Sequence, residues 1–340
     1  MNRPASLQAV LKMGETPVFT ADRGNYELAP YIARCAQLAM CLEVSASPKP
    51  GNIDRHDDYE DTRYEHFLAS AVSIYPTIEE ASKNTSGVGG YIKSAVGESV
   101  KWQKGGNTHF GAIILLVPLA MAAGRILAEK GTFTIPELAE CAHDIVKDTS
   151  TVDAVEFYSC FDAAGVRVNP VEEFDLQNDN AIADLREKDI SLYDLMEIAH
   201  GYDMIANEWT TGFTRCTECA ETIIKGMKGR LHPGPGTDIN DVVVYTFLNL
   251  LSRSEDTFIA TKFDIETARY VSGLAGSIMQ KMEDIHGTHK IYNNEREFNI
   301  IRPLIMEMDR ELLQRKINPG STADIVIAGL FIALLGGIRY

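Results

Sequence analysis

The sequence predicts an all-α fold, a single-domain multi-helix bundle around two buried apolar helices. Three observations carry this. Apolar residues recur at helical spacing over most of the chain, and strand-like alternation is nearly absent. Two runs, GAIILLVPLAMAAG at Gly111–Gly124 and IVIAGLFIALLGGI at Ile325–Ile338, are apolar on every side. Each falls short of the roughly 20 residues a bilayer demands, so both read as core helices. Loops rich in Gly, Pro, Asn, Ser and Asp repeatedly lead into helical runs.

In chain order, residues 1–24 form a weakly patterned lead-in and the bundle occupies 25–340. Leu28–Val44 sets Ile32, Cys35, Leu38, Ala39 and Leu42 at helical spacing. A Pro-rich loop follows, and Tyr64–Ile74 resumes the helical period. Asn84–Gly90 (NTSGVGG) reads as a breaker. Gly105 and Gly106 form another, with Asn107 or Thr108 placed to cap the first apolar helix. Ile135–Val146 and Val152–Ala164 are further helices, and 165–190 reads as loop-rich. Ser191–Lys228 is long and helical, interrupted near Thr211–Phe213. His232–Gly236 (HPGPG) is a loop. Asn240–Ser252, Asp264–Met282, Asn294–Gln314 and Ser321–Leu335 complete the bundle.

Of the 340 residues, 45% are hydrophobic and 24% charged, with a net charge of −16. A chain this acidic does not present the basic face expected of a duplex binder, so nucleic acid is not an expected partner. An anionic small molecule would need local Lys, Arg, backbone N–H groups or a metal. The six cysteines include one close C-x-x-C pair, Cys216 and Cys219. Zinc takes four ligands, so the pair reads as small buried thiols. The N-terminus lacks an apolar segment before a small-residue cleavage site, which predicts a cytoplasmic protein without a membrane partner.

The helix-starting loops carry the chemistry. They are Pro48–Asn52 (PKPGN), Gly105–His109 (GGNTH) and Asn318–Asp324 (NPGSTAD), with Ser254–Thr257 (SEDT) as a fourth. A helix start exposes unpaired N–H groups and the positive end of its dipole, and glycine lets an anion approach closely. Several such starts gathered at one end would cradle a polyphosphate. Asp54, Asp57, Asp256 and Asp324 lie in or beside these loops and suit Mg²⁺, which takes carboxylate and phosphate oxygens together. Lys49, Arg55 and Lys262 supply positive charge. The bland alternatives are a solvated Asp-Arg-His-Asp-Asp face, and helix caps at Asp256 and Asp324. His109, at the mouth of an apolar helix, is either a positioned reactive ring or a hydrogen-bonded structural one. His56 with Asp57 and His143 with Asp144 suggest a second reading, a metal-dependent phosphohydrolase.

Four stretches together resemble the triphosphoribosyl-dephospho-CoA synthase family: Glu43–Arg55 (EVSASPKPGNIDR), Gly106–Ala112 (GNTHFGA), Asp256–Thr257 and Asn318–Asp324 (NPGSTAD). They occur in the family's order and at similar separations, from roughly residue 33 to 335. The chain departs from the family pattern at His56–His66, at Gly165–Pro170 (GVRVNP) and at Lys262–Asp264, and in this it is similar to divergent archaeal members. The resemblance implies an all-α pentosyltransferase that moves the 5′-triphosphoribosyl group of ATP to a 3′-dephospho-CoA-like acceptor and releases adenine. For that chemistry the expected catalytic residues are Glu43 or Asp54 as the carboxylate and His109 for proton transfer or contact with adenine. Lys49, Gly51, Arg55, Gly106, Asn107, Thr108, Lys262 and Ser321 would bind the nucleotide, and Asp256 and Asp324 would meet Mg²⁺. A homo-oligomer stays open. The competing functions are the phosphohydrolase and a non-catalytic ATP-binding regulatory protein.

Overall fold

The computed structural model describes residues 17–21, 24–161, 181–288 and 294–340. Most of the lead-in, the end of the predicted 152–164 helix and the GVRVNP segment lie outside these residues. The expected all-α architecture is present. In order, the helices are α1 Leu28–Ser45, α2 Tyr64–Ser73, α3 Tyr75–Ala81, α4 Val88–Lys101, α5 Phe110–Lys130, α6 Ile135–Lys147, α7 Thr151–Tyr158, α8 Ala181–Glu187 and α9 Leu192–Ala199. They continue as α10 Met204–Thr210, α11 Thr214–Met227, α12 Ile239–Leu251, α13 Thr257–Lys262, α14 Ile265–Thr288, α15 Asn294–Gln314 and α16 Gly320–Leu335. Two short strands, β1 Phe19–Thr20 and β2 Thr132–Phe133, pair antiparallel with Phe19 opposite Phe133.

Both predicted core helices are buried. α5 is covered from Phe110 through Gly124, and α16 is covered over nearly all of its length. α5 runs to 21 residues, longer than the apolar run in the sequence. Its length and hydropathy would suffice to cross a membrane, but 89% of its apolar window is packed inside the protein. Pro118 lies within α5. Proline has no N–H to offer the carbonyl four residues back. That carbonyl, Ile114 O, instead accepts from the Trp209 indole N–H at 3.2 Å. α16 packs against α1, α5 and α11. A Cβ at Gly329 would sit 2.5 Å from the Cys219 Cβ, so the close approach of α11 and α16 requires glycine there.

Several features depart from the sequence reading, among them α3, which that reading does not include, and α8, inside the stretch read as loop-rich. The glycine-rich 84–90 stretch is not only a breaker, because α4 begins inside it. Gly87 takes a left-handed φ of +79°, and Gly89 then lies flush against the Asp153 backbone and donates its N–H to Asp153 Oδ1. The long Ser191–Lys228 run divides into α9, α10 and α11. The expected interruption at Thr211–Phe213 is there, with both Gly212 and Phe213 at positive φ, and a further break falls at 200–203.

Candidate active site

The Pro-rich loop after α1 is folded inward. Lys49 and Asp54 are fully buried, Glu43 is 2% exposed, and Asn52 is also buried. The Lys49 ammonium donates to Glu43 Oε1 at 2.5 Å and to Asn52 Oδ1 at 3.0 Å. Asn52 Nδ2 in turn reaches Asn318 Oδ1, in the NPGSTAD loop, at 2.9 Å. Gly51 makes the turn possible. Its φ is +73°, and a Cβ there would lie 2.2 Å from the Ile317 carbonyl oxygen. The Gly51 N–H donates to Asp309 Oδ1 at 2.9 Å, and its carbonyl accepts from Tyr59 at 2.6 Å.

Asp54 is held by one oxygen only. Oδ1 accepts from the His56 and Asp57 N–H groups at 2.8 and 3.3 Å, whereas Oδ2 is buried without a hydrogen-bond partner. His109 repeats this pattern. Its ring is 1% exposed, Nδ1 meets Ser70 Oγ at 2.9 Å, and Nε2 is buried and unpartnered. The Phe67 ring meets it edge-on, with centroids 4.9 Å apart. Burial, aided by the Lys49 charge, pushes the His109 pKa down to about 3, so the imidazole is neutral at physiological pH. Burial raises Glu43 against the pull of Lys49, and Asp54 raises it further. Lys49 thus acts on both Glu43 and His109, and Asp54 acts on Glu43.

A second buried region adjoins the first. Asp256 Oδ1 accepts from the Ile259 N–H at 3.1 Å and so caps α13. Its Oδ2 accepts from both Thr322 N and Thr322 Oγ1 at 2.7 Å, closing the first turn of α16. Thr257 Oγ1 accepts from the Met204 N–H and lies 3.2 Å from Ser321 Oγ, which draws in the start of α10. Asp203 caps α10 through the Ile205 and Ala206 N–H groups. Asp324 accepts from the Ala112 N–H at the start of α5, and a Cβ at Gly111 would come within 2.3 Å of its Oδ2. Burial, then Glu43, Asp256 and Asp203, hold Asp324 well above the usual carboxylate range. Pro48–Asn52 leads into no helix before Tyr64, but the starts of α13 and α16 follow two of the predicted loops and meet here with the start of α10, which the sequence reading did not include. The chain's own carboxylates already take several of their N–H groups.

The remaining predicted residues divide. Asn107 is exposed and caps α5 by accepting from the Phe110 N–H at 3.1 Å. Thr108 is buried, 3.5 Å from Ser99 Oγ. Gly106 is exposed with φ of +67°. Arg55 is exposed, donating to the Ser45 carbonyl and to Asn240 Oδ1. It lines an open cavity of about 450 Å³ with Ser47, His56, Asp238, Asn240, Asp241, Asn299 and Arg302, where Arg302 pairs with Asp241 at 2.5 Å. Lys262 is exposed at the far end of α13 from Asp256, its ammonium 5.9 Å from the Phe263 ring centroid. His143 Nδ1 meets the Trp209 carbonyl at 2.8 Å, a tie between α6 and α10. Ser70, Ser99, Asn52, Asn318 and Asp309 also belong to the polar core of the site. Sequence reasoning missed them as individual residues, since a Ser in mid-helix carries no local signal.

Comparison with known proteins identifies a family. Residues 29–339 match the family described as ATP:dephospho-CoA triphosphoribosyl transferase. A protein of Pectobacterium atrosepticum named 2-(5''-triphosphoribosyl)-3'-dephosphocoenzyme-A synthase is 22% identical, over 91% of this chain and 90% of its own. One of Streptococcus equi subsp. equi, named a probable synthase of the same kind, is 23% identical over 89% and 96%. A crystal structure from Archaeoglobus fulgidus, assigned to the triphosphoribosyl-dephospho-CoA synthases, superposes with a TM-score of 0.60 at 26% identity, covering 82% of this chain and all of that one. With a family match spanning nearly the whole chain, and all four motif stretches within it, this protein belongs to the ATP:dephospho-CoA triphosphoribosyl transferase family, a family of transferases.

Proposed function

We propose that the protein transfers the 5′-triphosphoribosyl group of ATP to a hydroxyl of a 3′-dephospho-CoA-like acceptor, releasing adenine. One observation supports this most. A fully buried lysine is tied to a carboxylate, beside a second carboxylate and an imidazole that each keep one buried polar atom unpartnered. Buried polar atoms are nearly always paired, and two orphans around one buried ion pair call for a partner from water, an ion or a ligand, which a substrate here would supply.

In the proposed reaction the acceptor hydroxyl oxygen attacks ribose C1′. The C1′–N9 bond breaks, and its electron pair leaves on adenine. The sugar passes through an oxocarbenium-like state, as in glycoside hydrolysis. Asp54 is the carboxylate for this step. Its Oδ1 is fixed by backbone N–H groups, so Oδ2 can take the hydroxyl proton or face the cationic sugar. Glu43 instead holds Lys49 in place. Adenine takes its proton from solvent, so protons balance. Arg55 offers positive charge to substrate phosphates from the cavity it lines, where Arg302 is already paired with Asp241. Asn107, Thr108, Gly106 and Ser321 belong to the helix starts that face the nucleotide in this reading, with Lys262 an outlying contributor.

Magnesium is part of the proposal. Among the described residues no three His, Cys, Asp or Glu side chains lie close enough together to hold a metal by themselves. Mg²⁺ would therefore come with the triphosphate and take Asp324, whose carboxyl feels the charge of Glu43, Asp256 and Asp203, as its protein contact. Asp256 fits less well than the sequence suggests, since both its oxygens already accept hydrogen bonds and it would act from behind Asp324. When bound, the ion would supply charge neutralisation for the triphosphate.

The test is incubation with ATP, Mg²⁺ and 3′-dephospho-CoA, followed by mass analysis. Free adenine and an acceptor heavier by a triphosphoribosyl group are expected. Phosphate or pyrophosphate release without adenine would replace this reading with a phosphohydrolase. Binding of ATP without turnover would replace it with a regulatory protein.

A further inference from the structure

His109 begins α5, and Ser70 on α2 and Ser99 on α4 lie behind it. Ser99 Oγ donates to Ser70 Oγ at 2.7 Å, and Thr108 Oγ1 lies 3.5 Å from Ser99 Oγ. All four side chains are buried. A hydroxyl has one proton to give. Ser70 receives a hydrogen bond from Ser99, and among the described residues His109 Nδ1, at 2.9 Å, is the acceptor within reach of its own proton. The pairing that leaves no buried Ser70 proton unused has Nδ1 accepting. A neutral imidazole carries its proton on the nitrogen that does not accept. That nitrogen is Nε2, the buried atom without a protein partner.

We infer that Thr108, Ser99 and Ser70 form a hydroxyl relay that locks His109 in its Nε2–H form, and that this N–H is donated to a ring nitrogen of the purine base of the bound nucleotide. Ser70 and Ser99 are positioning residues, and His109 is a fixed hydrogen-bond donor rather than a proton carrier. The inference rests on the adenine-releasing reading above. An uncharged donor in buried, low-dielectric surroundings suits an uncharged acceptor. Phosphate oxygens would be better met by a cation such as Arg55. As the C1′–N9 bond breaks, the electron pair enters the base and its ring nitrogens become stronger acceptors. The hydrogen bond strengthens as the transition state forms, the condition for it to speed the reaction. No proton crosses from His109.

The experiment has two arms. The first is imidazole ¹⁵N NMR of the full chain, with the His109 signals assigned through His109→Gln. A ring protonated at Nε2 is expected, with that signal moving when ATP is added without acceptor. In Ser70→Ala the ring should become a mixture of tautomers, and Ser70→Thr should restore the parent pattern. The second arm is adenine release. His109→Ala should lower kcat about 100-fold with KM for ATP changed only a few-fold, the size expected for one lost transition-state donor. His109→Gln places an amide N–H near the Nε2 position and should recover at least tenfold of that loss. Ser70→Ala should cost about tenfold in kcat. A ring protonated at Nδ1, an Nε2 signal indifferent to ATP, or a Gln variant as slow as the Ala variant would each overturn the inference. If the parent releases no adenine but its Nε2 signal still answers to ATP, the transfer reading fails while the relay and its contact with the nucleotide stand.

Discussion

At the joint where α13 and α16 begin, the buried carboxylate Asp256 is satisfied on both oxygens. Oδ1 accepts from the Ile259 N–H, and Oδ2 accepts from the Thr322 N–H and hydroxyl. In the neighbouring 43–54 loop and the start of α5, burial is equally deep but satisfaction stops halfway, and Asp54 Oδ2 and His109 Nε2 are left over. Both regions drew notice in the sequence for the same reason, acidic residues beside helix starts. The hydrogen-bond accounting separates them. A carboxylate whose oxygens are all engaged holds helices together. One held firmly by a single oxygen is aimed, with the other oxygen available to a substrate.

The largest expected effect lies in the loop. Lys49→Met would leave Glu43 buried opposite nothing. Breaking a buried ion pair from one side typically costs about 3–5 kcal/mol. Adding Glu43→Leu should recover most of the melting temperature, because an apolar pair of similar volume is tolerated there. Adenine release should stay near background in both variants. A double variant that regains activity along with stability would show that the pair is scaffold like the Asp256 joint, and the contrast between the regions would collapse.

Asp256→Ala comes next. It removes two helix caps at once, at roughly 1 kcal/mol each with a further penalty for the Thr322 hydroxyl left inside. A loss of about 2–4 kcal/mol in urea unfolding is expected, with Mg-ATP affinity of the folded protein within about twofold of the parent. Asp324→Asn should act the other way. Its stability should hold or rise, because a buried carboxylate among like charges becomes neutral, while Mg-ATP binding by calorimetry weakens about tenfold. Equal losses of affinity in the two variants would merge the joint with the site.

How much of this was legible in the sequence follows from what each feature needs. The core helices were readable because burial on all sides leaves no polar face in α5 or α16. The loop was readable because Pro48, Pro50 and Gly51 set a rigid turn directly before the ionisable run Asp54–Asp58, a local pattern that needs no distant partner. Helix α4 was hidden because its start uses Gly89 for contact with Asp153, and that contact is 64 residues away. Ser70 and Ser99 were hidden for a similar reason. Their part is set by a partner on another helix, and neither has a local pattern. Asp256 was legible as a polar residue at a helix start, but whether it caps or binds depended on Thr322, which only the fold brings near.

The smallest effect tests the underside of the loop, where Asp309 supports Gly51. Asp309 is buried, and its carboxyl is pushed up to about 7, first by burial and then by Asp57 and Asp54, against the pull of the Gly51 N–H. An acid whose pKa is raised on folding binds more protons in the native state. Its stabilising contribution is present below the unfolded value near 4 and is lost as pH rises through about 7. The parent should therefore lose stability between about pH 4 and 7 through this residue, and change little through it above that. Asp309→Asn keeps an oxygen for the Gly51 N–H and removes the ionisation. The variant should match the parent near pH 4 and melt a few degrees higher at pH 8, a difference on the order of 1–3 kcal/mol. Adenine release should change less than twofold, since Asp309 supports the back of the turn and Asp54 Oδ2 keeps its aim. Thermal melts of both proteins across this range are the measurement. Parallel curves would mean that Asp309 ionises in the fold as easily as in the open chain, and that the loop tolerates a third negative charge beside Asp54 and Asp57.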